Sequence, residues 1–227
     1  MYQLSRLKLL TNETTIEKIM NTNVLLIGLG GVGGFAFDCL IRSGICDITI
    51  VDVDKFEITN LNRQLFALHT TIGENKTDVC EKFGKQINPE VNIKKISKNI
   101  TLENINEIDF RQYDYILDAC DTVSIKKEII RICTRNNIKL ISCMGTGNKL
   151  KPELLEITEI RKTKADPLAK ILRKMVKEER IKQKVHVVSS TEVPKKVEGR
   201  EIGSITFVPA TAGILMASYV INDIIGD

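Results

Sequence analysis

Five of the seven residues from Gly28 to Gly34 are glycine, and they follow directly on an apolar run of strand length, Asn23 to Ile27 (NVLLI). A cluster this dense belongs in a tight turn, because glycine weakens the interior of a helix or strand. Gly28, Gly30 and Gly33 satisfy G-x-G-x-x-G, with Gly31 between them. A helix-like stretch follows over Phe35 to Arg42, ending near Gly44, and Asp47 to Asp52 (DITIVD) reads as a second, β-branched strand. Strand, glycine turn, helix and strand in about 30 residues open a doubly wound α/β sheet.

The alternation continues: 76–86 reads as a helix, 91–96 as a strand, 113–117 as a strand ending in Asp118, 123–135 as an amphipathic helix, and 138–143 as a strand that stops at Gly145-Thr146-Gly147. Beyond Gly147 the pattern predicts a strand over 154–160 and a helix over 167–180, with Asp166 as N-cap ahead of a proline at the first helical position. Residues 182–201 read as a polar connection, 202–208 as a final strand, and Thr211 onward as an apolar helix rich in small residues. The expected fold is a Rossmann-like, mostly parallel sheet with antiparallel C-terminal strands and a crossover segment. It forms one domain over 1–227, in three parts: a core at 1–147, a crossover at 148–201, and a C-terminal strand and helix at 202–227.

Composition narrows the function classes. Aromatics are 5% of the chain and Trp is absent, which disfavours a base-stacking platform, while 43% apolar and 27% charged residues exclude a disordered or fibrous chain. The net charge of +4 is unevenly placed: residues 161–200 hold 13 Lys/Arg against 5 Asp/Glu, so the remainder is acidic. A basic segment on such a body suits a polyanion such as nucleic acid, or is simply a solvated helix face. The six cysteines show no C-x-x-C spacing, so neither a Cys-type zinc site nor a disulfide framework is expected, and a reducing cytoplasm fits. The apolar stretch 207–225 contains Pro209, Asn222 and Asp223 and reads as buried structure, with no membrane span expected.

The glycine turn presents helix N-terminal N–H groups to a phosphate. Asp52 lies 19 residues past Gly33, at the end of the second strand, where a carboxylate can accept ribose hydroxyls. These features alone leave NAD and ATP open. The following segment, Asp52-Val53-Asp54 through Asn60-Leu61-Asn62-Arg63-Gln64, favours a triphosphate: Arg63 can fork onto phosphate oxygens, and Lys76 can neutralise further charge. Asp118-Ala119-Cys120-Asp121 falls at the carboxyl edge of a strand, where Asp121 suits Mg²⁺ or the N-cap of the next helix. His69 and His186 are isolated and read as structural.

Taken together, GLGGVGG, VDVDKFEITNLNRQ, the GENK step and the DACD step resemble the adenylating enzymes related to ubiquitin-activating enzymes. The resemblance implies that ATP adenylates a carboxylate. Asp52 would hold the ribose, Arg63 and Lys76 the phosphates, and Asp121 the magnesium. Gly28, Gly30, Gly31, Gly33, Asp54, Asn60, Asn62 and Gln64 would complete the nucleotide site. Arg6 would reach the ATP of the other subunit of a homodimer.

The sulfur-carrier activators of this superfamily carry paired C-x-x-C motifs, which are missing here, and no cysteine follows Cys143 to serve as a thioester nucleophile. The second half resembles the tRNA threonylcarbamoyladenosine dehydratase branch instead, through Ser142 to Leu150, Ile157 to Thr163, Asp166 to Ala169, Val187 to Glu192 and Gly203 to Val208. That resemblance implies an ATP- and Mg²⁺-dependent cyclisation of N6-threonylcarbamoyladenosine in tRNA, with the basic segment facing tRNA and a sulfur-trafficking protein as a possible partner. The alternative is an adenylating enzyme for a ubiquitin-like sulfur carrier.

Overall fold

The computed structural model describes residues 2–199 and 201–226. Seven strands, β1 (Asn23–Ile27), β2 (Asp47–Val51), β3 (Asn92–Ile96), β4 (Tyr115–Asp118), β5 (Lys139–Cys143), β6 (Leu155–Glu159) and β7 (His186–Ser190), form one sheet in the order β3-β2-β1-β4-β5-β7-β6. Every pairing is parallel except that of β6 with β7, which is antiparallel. The helices are α1 (Ser5–Lys8), α2 (Glu13–Met20), α3 (Gly33–Arg42), α4 (Lys76–Ile87), α5 (Val123–Asn136), α6 (Pro167–Glu178) and α7 (Phe207–Ile225).

NVLLI has no polar alternation because β1 is covered on both faces, as parallel strands are. Val24 and Leu26 face a core built with Phe37, Leu40, Met216 and Val220, whereas Leu25 and Ile27 face one built with Ile129, Ile130, Leu172 and Val176. Thus α3 and α7 share one side of the sheet, and α5 and α6 the other. Asn12 caps α2 by accepting the Thr15 N–H at 2.9 Å. The small residues of α7 serve close packing on α3: a Cβ on Gly213 would lie 2.2 Å from the Val32 carbonyl oxygen. This helix is long and apolar enough to cross a membrane, but half of it is buried against the fold.

Two expectations fail. The connection expected at 182–201 contains β7, whose Val187 and Val188 are fully buried between β5 and β6. The strand expected at 202–208 is not formed. Residues 201–205 are irregular and α7 begins at Phe207, with Pro209 in its first turn, where a missing N–H costs nothing. The backbone there spends its hydrogen bonds on Asn148 and Asn62 rather than on a neighbouring strand. Of the basic segment, Arg200 lies outside the described residues.

Candidate nucleotide-binding site

The strand order reverses between β1 and β4, and in sheets of this kind ligands bind at the carboxyl ends of the strands beside that switch. A cavity of about 520 Å³ opens there. It is lined by Gly28, Gly30 and Gly31 of the turn, by Asp52, Asp54 and Lys55 beyond β2, and by Asn60, Arg63, Gln64 and Lys76. Ala119 to Thr122 beyond β4 also reach it, as do Thr146, Ser204 and Pro209.

The turn needs its glycines for two reasons. Gly28 has φ +93°, and a Cβ on Gly33 would stand 1.8 Å from the Gly28 carbonyl oxygen. Gly30 is different: a Cβ there would meet nothing closer than 3.9 Å, so its bare backbone leaves room on the cavity side. The Asp52 carboxylate accepts the Leu29 N–H at 2.6 Å and the Asp54 N–H at 2.8 Å, tying the turn to the end of β2. Burial raises the Asp52 pKa, against the opposing pull of Lys76 and those N–H groups.

Lys76, at the first position of α4, is buried, with its ammonium 2.8 Å from Asp54 Oδ2 and 3.9 Å from Asp52 Oδ1. Arg63 donates through Nη1 to the Thr59 carbonyl (2.8 Å) and to Asn62 Oδ1 (3.0 Å). Gln64 lines the cavity and is buried, and its Oε1 has no hydrogen-bond partner among the described residues. Asp121 is exposed to the cavity, and among the described residues its carboxylate accepts a hydrogen bond only from the Thr122 hydroxyl, at 3.3 Å. It does not cap α5, whose N-cap is Thr122.

Of the residues singled out from the sequence, the structure brings Gly28, Gly30, Gly31, Asp52, Asp54, Asn60, Arg63, Gln64, Lys76 and Asp121 to one cavity. Gly33 supports the turn from behind. Asn62 lies at the surface and holds the C-terminal loop, donating to the Ser204 carbonyl at 3.0 Å. Arg6 is exposed on α1 and does not line this cavity. Asp118 turns away from the cavity: it is fully buried and accepts from Ser142 Oγ (2.6 Å) and Lys126 Nζ (3.0 Å).

Lys126 itself is fully buried and also donates to the Cys143 carbonyl at 2.8 Å, so it bolts the ends of β4 and β5 together. Sequence reasoning passed over it. The available signal was a lysine one position beyond Ile125 on the apolar stripe of α5. Cys120 lines the cavity, but burial and the Asp118 carboxylate push its thiol well above the usual range, which leaves it a poor nucleophile.

A doubly wound sheet whose glycine turn, Asp52 carboxylate, Arg63 and Lys76 share one cavity at the switch point is an α/β protein of the nucleotide-binding kind. More narrowly, the chain belongs to the ThiF family, whose model matches residues 3–227. It is similar to the tRNA threonylcarbamoyladenosine dehydratase of Bacillus subtilis (36% identity, covering 100% of this chain and 96% of that one) and to that of Escherichia coli (31%, 94% and 90%). The crystal structure of the Escherichia coli enzyme, TcdA, in complex with ATP superposes with a TM-score of 0.92 at 31% identity, covering 98% of this chain and 93% of that chain.

Proposed function

We propose that the chain, a single adenylation unit over 1–227, uses ATP to cyclise N6-threonylcarbamoyladenosine at position 37 of tRNA. The observation that carries this reading is the convergence of Asp52, Arg63, Lys76 and Asp121 with the glycine turn on one cavity. Its likeness over nearly full length to dehydratases so named supports the substrate.

In the reaction, the threonyl carboxylate oxygen displaces pyrophosphate from the α-phosphorus. The carbamoyl group then attacks the acyl carbon, AMP departs and a proton is lost, so the nucleoside loses the elements of water. Closing a ring within one molecule needs no enzyme thiol, because proximity supplies the advantage. Asp52 orients the ribose, and Arg63 and Lys76 neutralise the phosphate oxygens. Mg²⁺ would be held by Asp121 together with phosphate oxygens and water, and supplies charge neutralisation when bound. An exposed single carboxylate suits that ion, and no group of three His, Cys, Asp or Glu is found among the described residues.

The tRNA backbone would meet the exposed lysines of α6, Lys170, Lys174 and Lys177, which share one face at helical spacing. The chain would act in the cytoplasm as a homodimer in which Arg6, followed a turn later by exposed Leu9 and Leu10, completes the partner's site, and a sulfur-trafficking protein would dock on it. The test is nucleoside mass spectrometry of modified tRNA incubated with the protein, ATP and Mg²⁺. A loss of about 18 Da is expected, and an unchanged mass sinks the assignment.

A further inference from the structure

Asn148, in the loop after β5, is held in the left-handed backbone region (φ 58°). Its N–H donates to the Gly203 carbonyl at 2.7 Å, and its side-chain Oδ1 accepts the Gly203 N–H at 2.7 Å. Its carbonyl accepts the Lys195 N–H at 2.7 Å. One residue earlier, Gly147 makes room for Ile202, whose side chain lies 2.2 Å from where a Cβ would stand. The segment beyond β7 is therefore clamped at Ile202 and Gly203 from the β5 loop.

The next residue, Ser204, lines the nucleotide cavity, and its carbonyl accepts from Asn62 Nδ2 at 3.0 Å. Asn62 in turn accepts from Arg63 Nη1 at 3.0 Å, and its own carbonyl accepts from the Thr206 hydroxyl. Neither Asn148 nor Asn62 lines the cavity.

We infer that Asn148 is a positioning residue: by fixing the Gly203–Ser204 backbone it sets the orientation of Asn62, and through it that of the Arg63 guanidinium. The inference rests on reading Arg63 as a phosphate ligand of ATP. A purely conformational role makes a different prediction. Glycine adopts φ 58° at no steric cost, so Asn148→Gly keeps the turn and removes only the Oδ1 acceptor. Asn148→Asp keeps both the acceptor and a residue tolerant of this region.

The experiment measures ATP and adenosine affinity of the full chain by calorimetry. Asn148→Gly should raise the ATP Kd about three- to tenfold, the worth of one hydrogen bond, and leave the adenosine Kd unchanged, because adenosine offers Arg63 no phosphate. Asn148→Asp should bind ATP as the wild type does. Combined with Asn62→Ala, Asn148→Gly should add little, since both variants interrupt one series of bonds. Wild-type ATP affinity in Asn148→Gly, an equal loss of adenosine binding, or full additivity with Asn62→Ala overturns the inference. A wild-type chain that binds no ATP removes the site reading and the inference together, whereas ATP binding indifferent to Asn148 removes the inference alone.

Discussion

Lys76 and Arg63 reach the same cavity but are held in different ways, and their substitutions should therefore fail differently. Arg63 spends one nitrogen on Thr59 and Asn62, which leaves the rest of its fork for phosphate in the proposed function. Arg63→Ala should cut kcat/KM about 10²- to 10³-fold with Tm unchanged, and Arg63→Lys should not rescue it, since a point charge cannot fork. Steady-state rates beside a melting curve decide this. Near-normal turnover in Arg63→Ala would remove the residue from the site. Lys76 is buried against Asp52 and Asp54, and it is the cation that offsets the burial of Asp52. Because the Asp52 pKa is raised in the fold, ionising this carboxyl costs stability as pH rises through that pKa, and the cost is absent at pH below the unfolded value. Lys76→Ala should raise the pKa further, so the pH below which a ribose-bearing nucleotide loses affinity should move upward. An identical pH profile of adenosine binding in both proteins would contradict this account of Asp52.

At the scale of elements, the joint between β1 and α3 separates two uses of glycine. Gly33→Ala drives a Cβ into the Gly28 carbonyl, so α3 must leave the sheet, and the variant should yield little folded protein. Gly30→Ala meets no such obstacle and should change stability by less than about 0.5 kcal/mol while weakening ATP binding, because its methyl occupies the approach to the backbone. Equal melting losses in the two would refute the division. The joint between β4 and β5 rests on the fully buried Lys126–Asp118 pair. Lys126→Met strands a buried carboxylate and should cost about 3–5 kcal/mol by urea unfolding, whereas adding Asp118→Leu should recover most of it. A double variant no more stable than the single would show that the pair's charges were not the cause. The elements around these joints were legible in the sequence because doubly covered strands are apolar runs punctuated by glycine and aspartate. β7 was not, because its five residues sit between KQK and TEVPKK and their burial comes from β5 and β6. The stretch 202–206 misled because its β-branched residues dock on Gly147 and Asn62 rather than pair in a sheet. The wall formed by Ser204 and Pro209 could not be read at all, since only the fold brings it to Arg63 from over 140 positions away.

The whole molecule leaves Arg6 out of its own cavity, and the reason is where the N-terminal segment docks. Leu4 is buried against Gly44 just beyond the C-terminal end of α3, and a Cβ on Gly44 would lie 2.8 Å from Leu4 Cδ1. The glycine turn lies at the other end of that helix, so its ten residues, about 15 Å, separate the two. Arg6 is exposed there, with exposed Leu9 and Leu10 close by in the chain, and the proposed homodimer assigns it to the neighbouring subunit's site. If it does, Arg6→Ala and Arg63→Ala homodimers should both be inactive for complementary reasons. In a mixed dimer, the Arg6→Ala subunit retains its own Arg63 and receives Arg6 from its partner, which restores one site of two. Co-expression of the two variants with different tags should therefore recover about a quarter of the wild-type rate, since half the dimers are mixed and each holds one intact site. Dimers purified through both tags should reach about half. Doubly tagged dimers with no activity above either parent would place Arg6 outside the reaction, and an active Arg6→Ala homodimer would do the same without any mixing.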